Sequence, residues 1–216
     1  MRARPGRLLG GLLVLGWAVA LIAVVATTPH RQPVDREPSA AQELLRAWER
    51  SRQATFVRSG TFERRRPATG AAITSEDVLA QRPPERLHRQ LGSIEVRDGT
   101  TLTTCAAPIA DQSPPPCRTS ESTRGYDAAV AAEVASLRSL VTGEAPLYFV
   151  TRAEGCFDLR QRRPDPRAPF GLEARFCFDG PTGAPIDSRV RYEGGVEEVI
   201  TVLELRAEVT DADLRP

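Results

Sequence analysis

The residues that could carry out chemistry in this chain are few and widely spaced. Of its two histidines, His30 lies close to the apolar N-terminal segment and His88 stands between arginines on a predicted strand. Nucleophilic catalysis by serine or cysteine needs a base within reach, and no nucleophile-elbow or glycine-rich phosphate motif occurs. The carboxylate pairs 197/198 and 211/213 fall in a predicted hairpin and in the tail, where solvated charges are expected. We therefore predict no catalytic residue, no cofactor and no enzymatic activity.

The cysteines indicate an oxidising compartment. The four cysteines form two close pairs, Cys105/Cys117 and Cys156/Cys177, and an even number in an exported protein is typical of disulfides. Neither pair has the tight spacing of a zinc site, so no metal is predicted.

A cross-strand pairing of Cys156 with Cys177 can be tested by the side chains around it. In that register, opposite charges face each other on one side, Asp158 with Arg175 and Arg160 with Glu173. The other side receives only apolar residues: Phe157, Leu159, Ala174, Phe176 and Phe178. A slip of one residue would destroy this sorting, so the register is predicted to be antiparallel with the two cysteines opposite.

The N-terminal segment predicts export. Arg2, Arg4 and Arg7 precede an uncharged stretch that covers residues 8–28. Within it, the 19 residues 8–26 would span roughly 28 Å as a helix. This segment is either an uncleaved membrane anchor or a cleaved signal peptide. The arginines should stay in the cytoplasm, which sends the remainder out of it. The expected organisation is residues 1–28 as stub and anchor, 29–38 as linker and 39–216 as an extracytoplasmic domain, secreted if the anchor is removed.

Charge and composition argue against a nucleic-acid partner. The net charge of +1 is spread along the chain without a basic block that could neutralise phosphates. All 29 basic residues are arginine and the sequence contains no asparagine, a bias that is typical of GC-rich genomes.

Two β-meanders, each preceded by a helix, are predicted for the domain. The first helix spans residues 40–51, with a capping box formed by Ser39 and Gln42, and the second spans 126–141. The predicted strands are 55–65, 73–81, 86–91, 93–104, 147–153, 156–160, 173–179, 186–192 and 196–209. Asp98-Gly99 indicates a hairpin turn within residues 93–104. A three-residue loop, which places Val96 opposite Leu102, gives the best match of apolar partners. The last strand is apolar on both faces, so something apolar should cover each side.

This order of elements resembles a known superfamily. Residues 54–63, with Gly60-Thr61-Phe62, look like the first strand of RseB-type domains, and the pattern over 39–214 resembles the periplasmic lipoprotein carriers LolA and LolB and their sensor relative RseB. The resemblance implies an α+β fold: a curved antiparallel half-barrel with helices on or in its concave face, lined by side chains that accept acyl chains. The lining would comprise Val130, Val134, Leu137, Phe157, Leu159, Phe176, Phe178, Val190, Tyr192 and Val199.

Two functions without catalysis remain open. The first is a membrane-anchored protein that binds a lipid or lipoprotein acyl chain in the apolar half-barrel, since acyl burial needs only an apolar cavity. The alternative is an envelope sensor or interaction protein whose plugged sheet docks another protein. The second helix is correspondingly either a core helix or a lid over a cavity.

Overall fold

The computed structural model describes residues 39–106 and 116–215. In this part of the chain the fold is α+β, with two helices and a large curved, unclosed antiparallel sheet. The segment for which a membrane span is predicted, residues 8–28, lies outside the described residues. Among those that are described, no helix is long and apolar enough to cross a bilayer.

The helices lie close to where the sequence predicts them. Helix α1 is Ala40–Gln53 and begins with the expected capping box, because Ser39 Oγ accepts from Gln42 N while Gln42 Oε1 accepts from Ser39 N. Helix α2 is Tyr126–Thr142, between Gly125 and Gly143.

Eleven strands account for the sheet in the described residues. They are β1 (Phe56–Arg66), β2 (Ala71–Arg82), β3 (Glu85–Gln90), β4 (Ser93–Asp98), β5 (Thr101–Cys105), β6 (Cys117–Glu121), β7 (Tyr148–Ala153), β8 (Cys156–Gln161), β9 (Glu173–Phe178), β10 (Pro185–Arg191) and β11 (Glu197–Arg206). Their order is β6-β5-β4-β3-β2-β1-β11-β10-β9-β8-β7. The two predicted meanders are therefore joined side by side, first strand to last strand.

Both predicted disulfides are present, Cys105–Cys117 and Cys156–Cys177. The register predicted for β8 and β9 is confirmed, because Cys156 lies opposite Cys177 and Asp158 opposite Arg175. Charges and sulfur occupy one side of these strands and aromatic rings the other.

One local prediction is wrong, and one strand was not predicted. The hairpin loop between β4 and β5 has two residues, 99 and 100, so that Val96 lies opposite Thr103 instead of Leu102. Asp98 still pairs with Thr101, which moves the turn one residue later than the Asp98-Gly99 pattern indicates. Strand β6 was not predicted, because all five of its residues are exposed and none is apolar apart from Cys117.

A bulge at the junction of the meanders interrupts the apolar run in β11. Ser59 pairs with Glu204 and Gly60 with Val202, which leaves Leu203 as the extra residue. Leu203 is 71% exposed, so the described residues do not supply the expected cover at this point. Gly60 is required here because a Cβ would lie 2.1 Å from the carbonyl oxygen of Thr201.

The register assigns every side chain of the sheet to one of two faces. We call the side on which α1 and α2 pack the helix face and the opposite side the outer face. In β7 to β10 the helix face is apolar and packs with both helices in the main core. In β3 to β5 the outer face is the more apolar one, and Leu87 and Ile94 pack with Ala80 of β2 and with Val209 and Leu214 from the C-terminal segment. On the helix face, β1 and β2 contribute Phe56 and Leu79 to a smaller buried cluster.

Candidate functional site

Eight of the ten residues predicted to line a cavity come together on the helix face. Five of them are buried in the main core, with exposed fractions between 1% and 6%: Val130, Val134, Leu137, Phe157 and Leu159. Three are partly buried and pack against that core: Phe176, Phe178 and Val190. These eight side chains lie together, and their role in binding an acyl chain stays a prediction.

The space between these side chains is filled by aromatic rings of the protein itself. The Trp48 ring of α1 lies 5.2 Å from Phe176, 6.3 Å from Phe178 and 5.8 Å from Phe170, measured between ring centroids. Phe170 comes from the long loop between β8 and β9 and also contacts Tyr148 at 5.7 Å. Tilted and edge-on pairs at these separations are favourable packing. The predicted lining is thus the interior of a packed core.

Tyr192 and Val199 lie apart from the other eight. The Tyr192 hydroxyl donates to Glu198 Oε2 at 3.1 Å, and burial together with this carboxylate raises the pKa of Tyr192 to about 12. Val199 pairs with Glu63 and Arg189, which places it on the outer face. Alternation along β11 could have separated Val199 from Val190 before the structure was known.

A polar cluster ties α2 to α1. Glu133 accepts from Trp48 Nε1 at 2.9 Å and from Arg52 Nη2 at 2.6 Å, while the Tyr126 hydroxyl donates to the carbonyl oxygen of Arg52. Burial would raise the pKa of Glu133, but the hydrogen bonds and the charge of Arg52 outweigh it and lower that pKa. Glu133 is therefore a carboxylate that holds the two helices together.

The helix face of β1 to β3 carries a buried ion-pair network. Asp77 is fully buried, its Oδ2 lies 2.8 Å from Arg58 Nη1, and its Oδ1 accepts from Gln90 Nε2 at 2.9 Å and contacts His88 Nε2 at 3.1 Å. Burial favours the neutral acid, yet His88 and Arg58 together lower the pKa of Asp77. His88 was predicted to lie on the polar side of its strand, and it does, but this side faces the helices. The charges of this network are paired within the protein, although Arg58 Nε is buried without a hydrogen-bond acceptor, and the network offers no nucleophile.

The end of α1 is held by the same face of the sheet. Gln81 is fully buried, and its Nε2 donates to the carbonyl oxygens of Ser51 and Ala54, both at 2.8 Å. These carbonyls lack partners within the helix, so the glutamine acts as a cap supplied by β2.

The outer face of β7 to β10 forms an open trough of about 530 Å³. Its lining contains four arginines, three carboxylates and one aromatic ring: Arg160, Arg175, Arg189, Arg191, Asp158, Glu173, Glu197 and Phe149. The carboxylates are paired within the trough, for example Glu173 with Arg191 at 2.6 Å. Phe149 is 53% exposed and lies at its margin, with the Arg162 guanidinium 5.3 Å from the ring centroid.

No arrangement of catalytic or metal-ligating groups is found in the described part of the chain. Within residues 39–106 and 116–215, no cluster of three or more His, Cys, Asp or Glu could hold a metal ion.

Comparison with known proteins gives structural likenesses only. No family model matches the chain, and no curated protein matches it. Among solved structures, the MucA/MucB complex of Pseudomonas aeruginosa contains a chain with 22% identity over 82% of this chain and 60% of that chain, at a TM-score of 0.45. MucB in complex with MucA(peri) gives 19% identity over the same shares, at 0.42. A LolA superfamily protein from Nitrosomonas europaea gives 11% identity over 83% of this chain and 99% of that chain, at 0.34.

These likenesses concern the fold. The predicted resemblance to the LolA/RseB superfamily is confirmed at that level. The chain spans about 60% of the length of the MucB chains that it matches. TM-scores below 0.5 at identities of 11–22% carry no information on what this chain binds.

Proposed function

We propose that this chain is an extracytoplasmic, non-catalytic binding protein that docks another protein through the outer face of β7 to β10. The observation that supports this proposal is the filled interior: Trp48 and Phe170 occupy the space over β8 and β9 where an acyl chain would lie. A packed core leaves the exposed surface as the place for recognition. The two disulfides support an extracytoplasmic location.

The outer-face trough fits an acidic polypeptide segment. Its carboxylates are paired with its arginines, but four arginines face three carboxylates, and the side chains of Arg160, Arg189 and Arg191 remain 81%, 58% and 50% exposed. Exposed arginines beside an aromatic ring are the residue types enriched at protein interfaces. The ring of Phe149 supplies the apolar contact, and the guanidinium groups supply the charge complementarity.

Native mass spectrometry tests this proposal against lipid binding. The domain from Ser39 onward is purified without the N-terminal segment, measured under native conditions and extracted with organic solvent. We expect the mass of the polypeptide alone and no lipid in the extract. A stoichiometric lipid would contradict the proposal.

Site-specific photocrosslinking in the cell envelope tests the docking surface directly. A photoreactive amino acid at Thr151, exposed on the outer face of β7, should give one discrete crosslinked product. The same label at Thr74, exposed on the outer face of β2, is the matched control and should not. The product should disappear when Arg189 and Arg191 are both changed to Glu. Equal labelling from both positions would overturn the assignment of the surface.

Acyl-chain binding on the helix face is the second candidate, and the continuity of the apolar cluster favours it. The eight residues that come together form one surface between α2 and the sheet, which would open if α2 moved away. Glu133 is the side chain that ties α2 to Arg52 and Trp48 of α1. If α2 is a lid, Glu133→Gln should increase the binding of a fluorescent fatty acid, and unchanged absence of binding would discard this candidate.

A further inference from the structure

The polar part of the helix face borders a cavity of about 220 Å³. It lies between strands β3 and β4 and the two helices, on the opposite face of the sheet from the outer trough. Its lining is mainly charged and polar: Arg52, Arg86, Glu95, Arg97, Tyr126, Ala129, Val130 and Glu133. The volume is below the range of about 300–1,000 Å³ that is usual for drug-sized ligands, so a ligand here must be a small group.

Two arginines lie side by side in the lining of this cavity. Arg86 of β3 lies directly opposite Arg97 of β4, and like charges at such positions destabilise a sheet. Within the described residues, neither forms an ion pair within 4.0 Å or a side-chain hydrogen bond, and Arg86 Nε and Arg97 Nη1 are buried without an acceptor. A buried donor without an acceptor is costly, so this arrangement calls for an acceptor that the protein does not supply.

The neighbouring carboxylates do not fill this role. Glu133 is bound to Arg52 at 2.6 Å and to the Trp48 indole at 2.9 Å. Glu95 also lines the cavity but is an exposed side chain. Burial, and after it the charge of Arg52, lowers the pKa of Arg86 to about 10, while the charges of Glu133 and Glu95 act in the opposite direction, so the guanidinium is still charged at neutral pH.

We propose that this cavity binds a phosphate group between the guanidinium groups of Arg86 and Arg97. A guanidinium presents paired N–H donors that match the oxygens of phosphate in a bidentate way. Two of them side by side can be satisfied together by the several oxygens of one phosphate, whereas a carboxylate has only two. The phosphate group can come from free inorganic phosphate or from a phospholipid headgroup, which present the same chemistry to the arginines.

Thermal unfolding of the full-length chain in non-ionic detergent tests the site with defined probes. Sodium phosphate is added at constant ionic strength, and soluble dihexanoyl phosphatidylglycerol is added in a parallel series. A ligand that binds only the folded state raises the Tm saturably with its concentration. We expect this shift for the unaltered chain and for Arg89→Gln, the matched control on the outer face of β3. In Arg86→Gln and Arg97→Gln the affinity should fall by about tenfold or more.

The two variants also test whether the neighbouring charges of Arg86 and Arg97 destabilise the protein when no phosphate is bound. Because each substitution removes one of two neighbouring charges, both variants should unfold at the same temperature as the unaltered chain, or higher, when no phosphate is present. Phosphate also stabilises proteins by being excluded from their surface, but this effect is equal in all variants. The difference between variants is therefore the measured signal, and the line width of phosphorus-31 in nuclear magnetic resonance is an independent readout of binding.

The two probes separate the sources. Binding of inorganic phosphate supports the site and assigns it to free phosphate, whereas binding of the lipid alone supports the site and assigns it to a headgroup. Failure of both probes to shift the unaltered chain, or equal shifts in Arg86→Gln and Arg97→Gln, would overturn the proposal.

Discussion

The two ends of the sheet carry most of their apolar side chains on opposite faces, while β1 and β2 between them add Phe56 and Leu79 on the helix face. In β7 to β10 the helix face holds the aromatic core and the outer face holds paired charges. In β1 to β5 the helix face holds Asp77, His88 and Arg86, while apolar residues of the outer face pack with the C-terminal segment. One continuous sheet thus needs two covers, the helices on one side and the C-terminal segment on the other.

The difference sets how each half is stabilised. Apolar packing in the β7 to β10 half is non-directional and depends on filled volume. The polar half depends on specific partners, since a buried ion such as Asp77 is tolerated only while Arg58, His88 and Gln90 surround it. The apolar interior offers no polar group to a ligand. The polar interior, in contrast, retains hydrogen-bond donors that a ligand could use, as at Arg86 and Arg97.

The largest effect is expected from a charge placed in the apolar half. Leu137→Asp puts a carboxylate at a position that is 3% exposed, and we expect a loss of about 4 kcal/mol or more in the free energy of unfolding. Leu203→Asp is the matched control, because Leu203 is 71% exposed. Urea unfolding of both variants measures the difference. A folded Leu137→Asp protein of unchanged stability would show that α2 is not part of the core.

In the polar half, the loss of one partner should be nearly as damaging. Asp77→Asn leaves Arg58 buried without its counter-ion, which should lower the free energy of unfolding by about 3–5 kcal/mol. Asp158→Asn removes a carboxylate 3.6 Å from Arg175 on the exposed outer face and should change it by less than about 1 kcal/mol. Equal effects of the two substitutions in urea unfolding would contradict the contrast between buried and exposed pairs.

Local patterns allowed most of the fold to be predicted. Alternation of period two and the turn residues located ten strands, and the charge pairs around Cys156 and Cys177 gave the register of β8 and β9. Strand β6 carries no such pattern, and its place is fixed by Cys117 opposite Cys105. The hairpin loop at residues 99–100 was predicted incorrectly. The prediction relied on matching apolar partners across the strands, whereas in the structure Asp98 pairs with Thr101.

The site was only half predictable. Alternation tells which side chains share a face, so Phe157 and Phe176 were grouped correctly with Val134. It does not tell what covers that face. Arg86 and His88 form a pattern typical of a solvated strand side, and only the position of the helices reveals that this side is partly enclosed. For the same reason, the filling of the predicted cavity by Trp48 and Phe170 had no signal in the sequence.

Each half contains one disulfide, which allows a direct comparison. Cys156–Cys177 joins residues 21 apart and Cys105–Cys117 residues 12 apart. From loop closure alone, replacing either pair by serines should lower the free energy of unfolding by about 3 kcal/mol, with the longer loop losing about 0.5 kcal/mol more. Thermal unfolding of the two double variants tests this order. A much larger effect for Cys105–Cys117 would mean that β6 depends on its bridge for more than loop closure.

Acid should weaken the polar half through Asp77. Because the pKa of Asp77 is lowered on folding, the carboxylate contributes stability above the pKa of the unfolded state, about 3.9, and this contribution is lost as the pH falls through the folded value. The free energy of unfolding of the unaltered chain should therefore fall more steeply below pH 4 than that of Asp77→Asn. Parallel curves for the two proteins between pH 6 and pH 3, in urea unfolding at each pH, would show that Asp77 does not contribute to acid sensitivity.

The smallest effect on stability should come from the outer trough, which is where the largest effect on docking is proposed. The side chains of Arg189 and Arg191 are 58% and 50% exposed, so changing both to Glu should alter the free energy of unfolding by less than about 1 kcal/mol. The same change should abolish the crosslink from Thr151, since it reverses the charge offered to an acidic segment. Urea unfolding together with crosslinking separates the two roles. A variant that loses several kcal/mol in the free energy of unfolding would show that these arginines stabilise the sheet. It would contradict the division between an apolar interior that stabilises the fold and an outer surface that binds a partner.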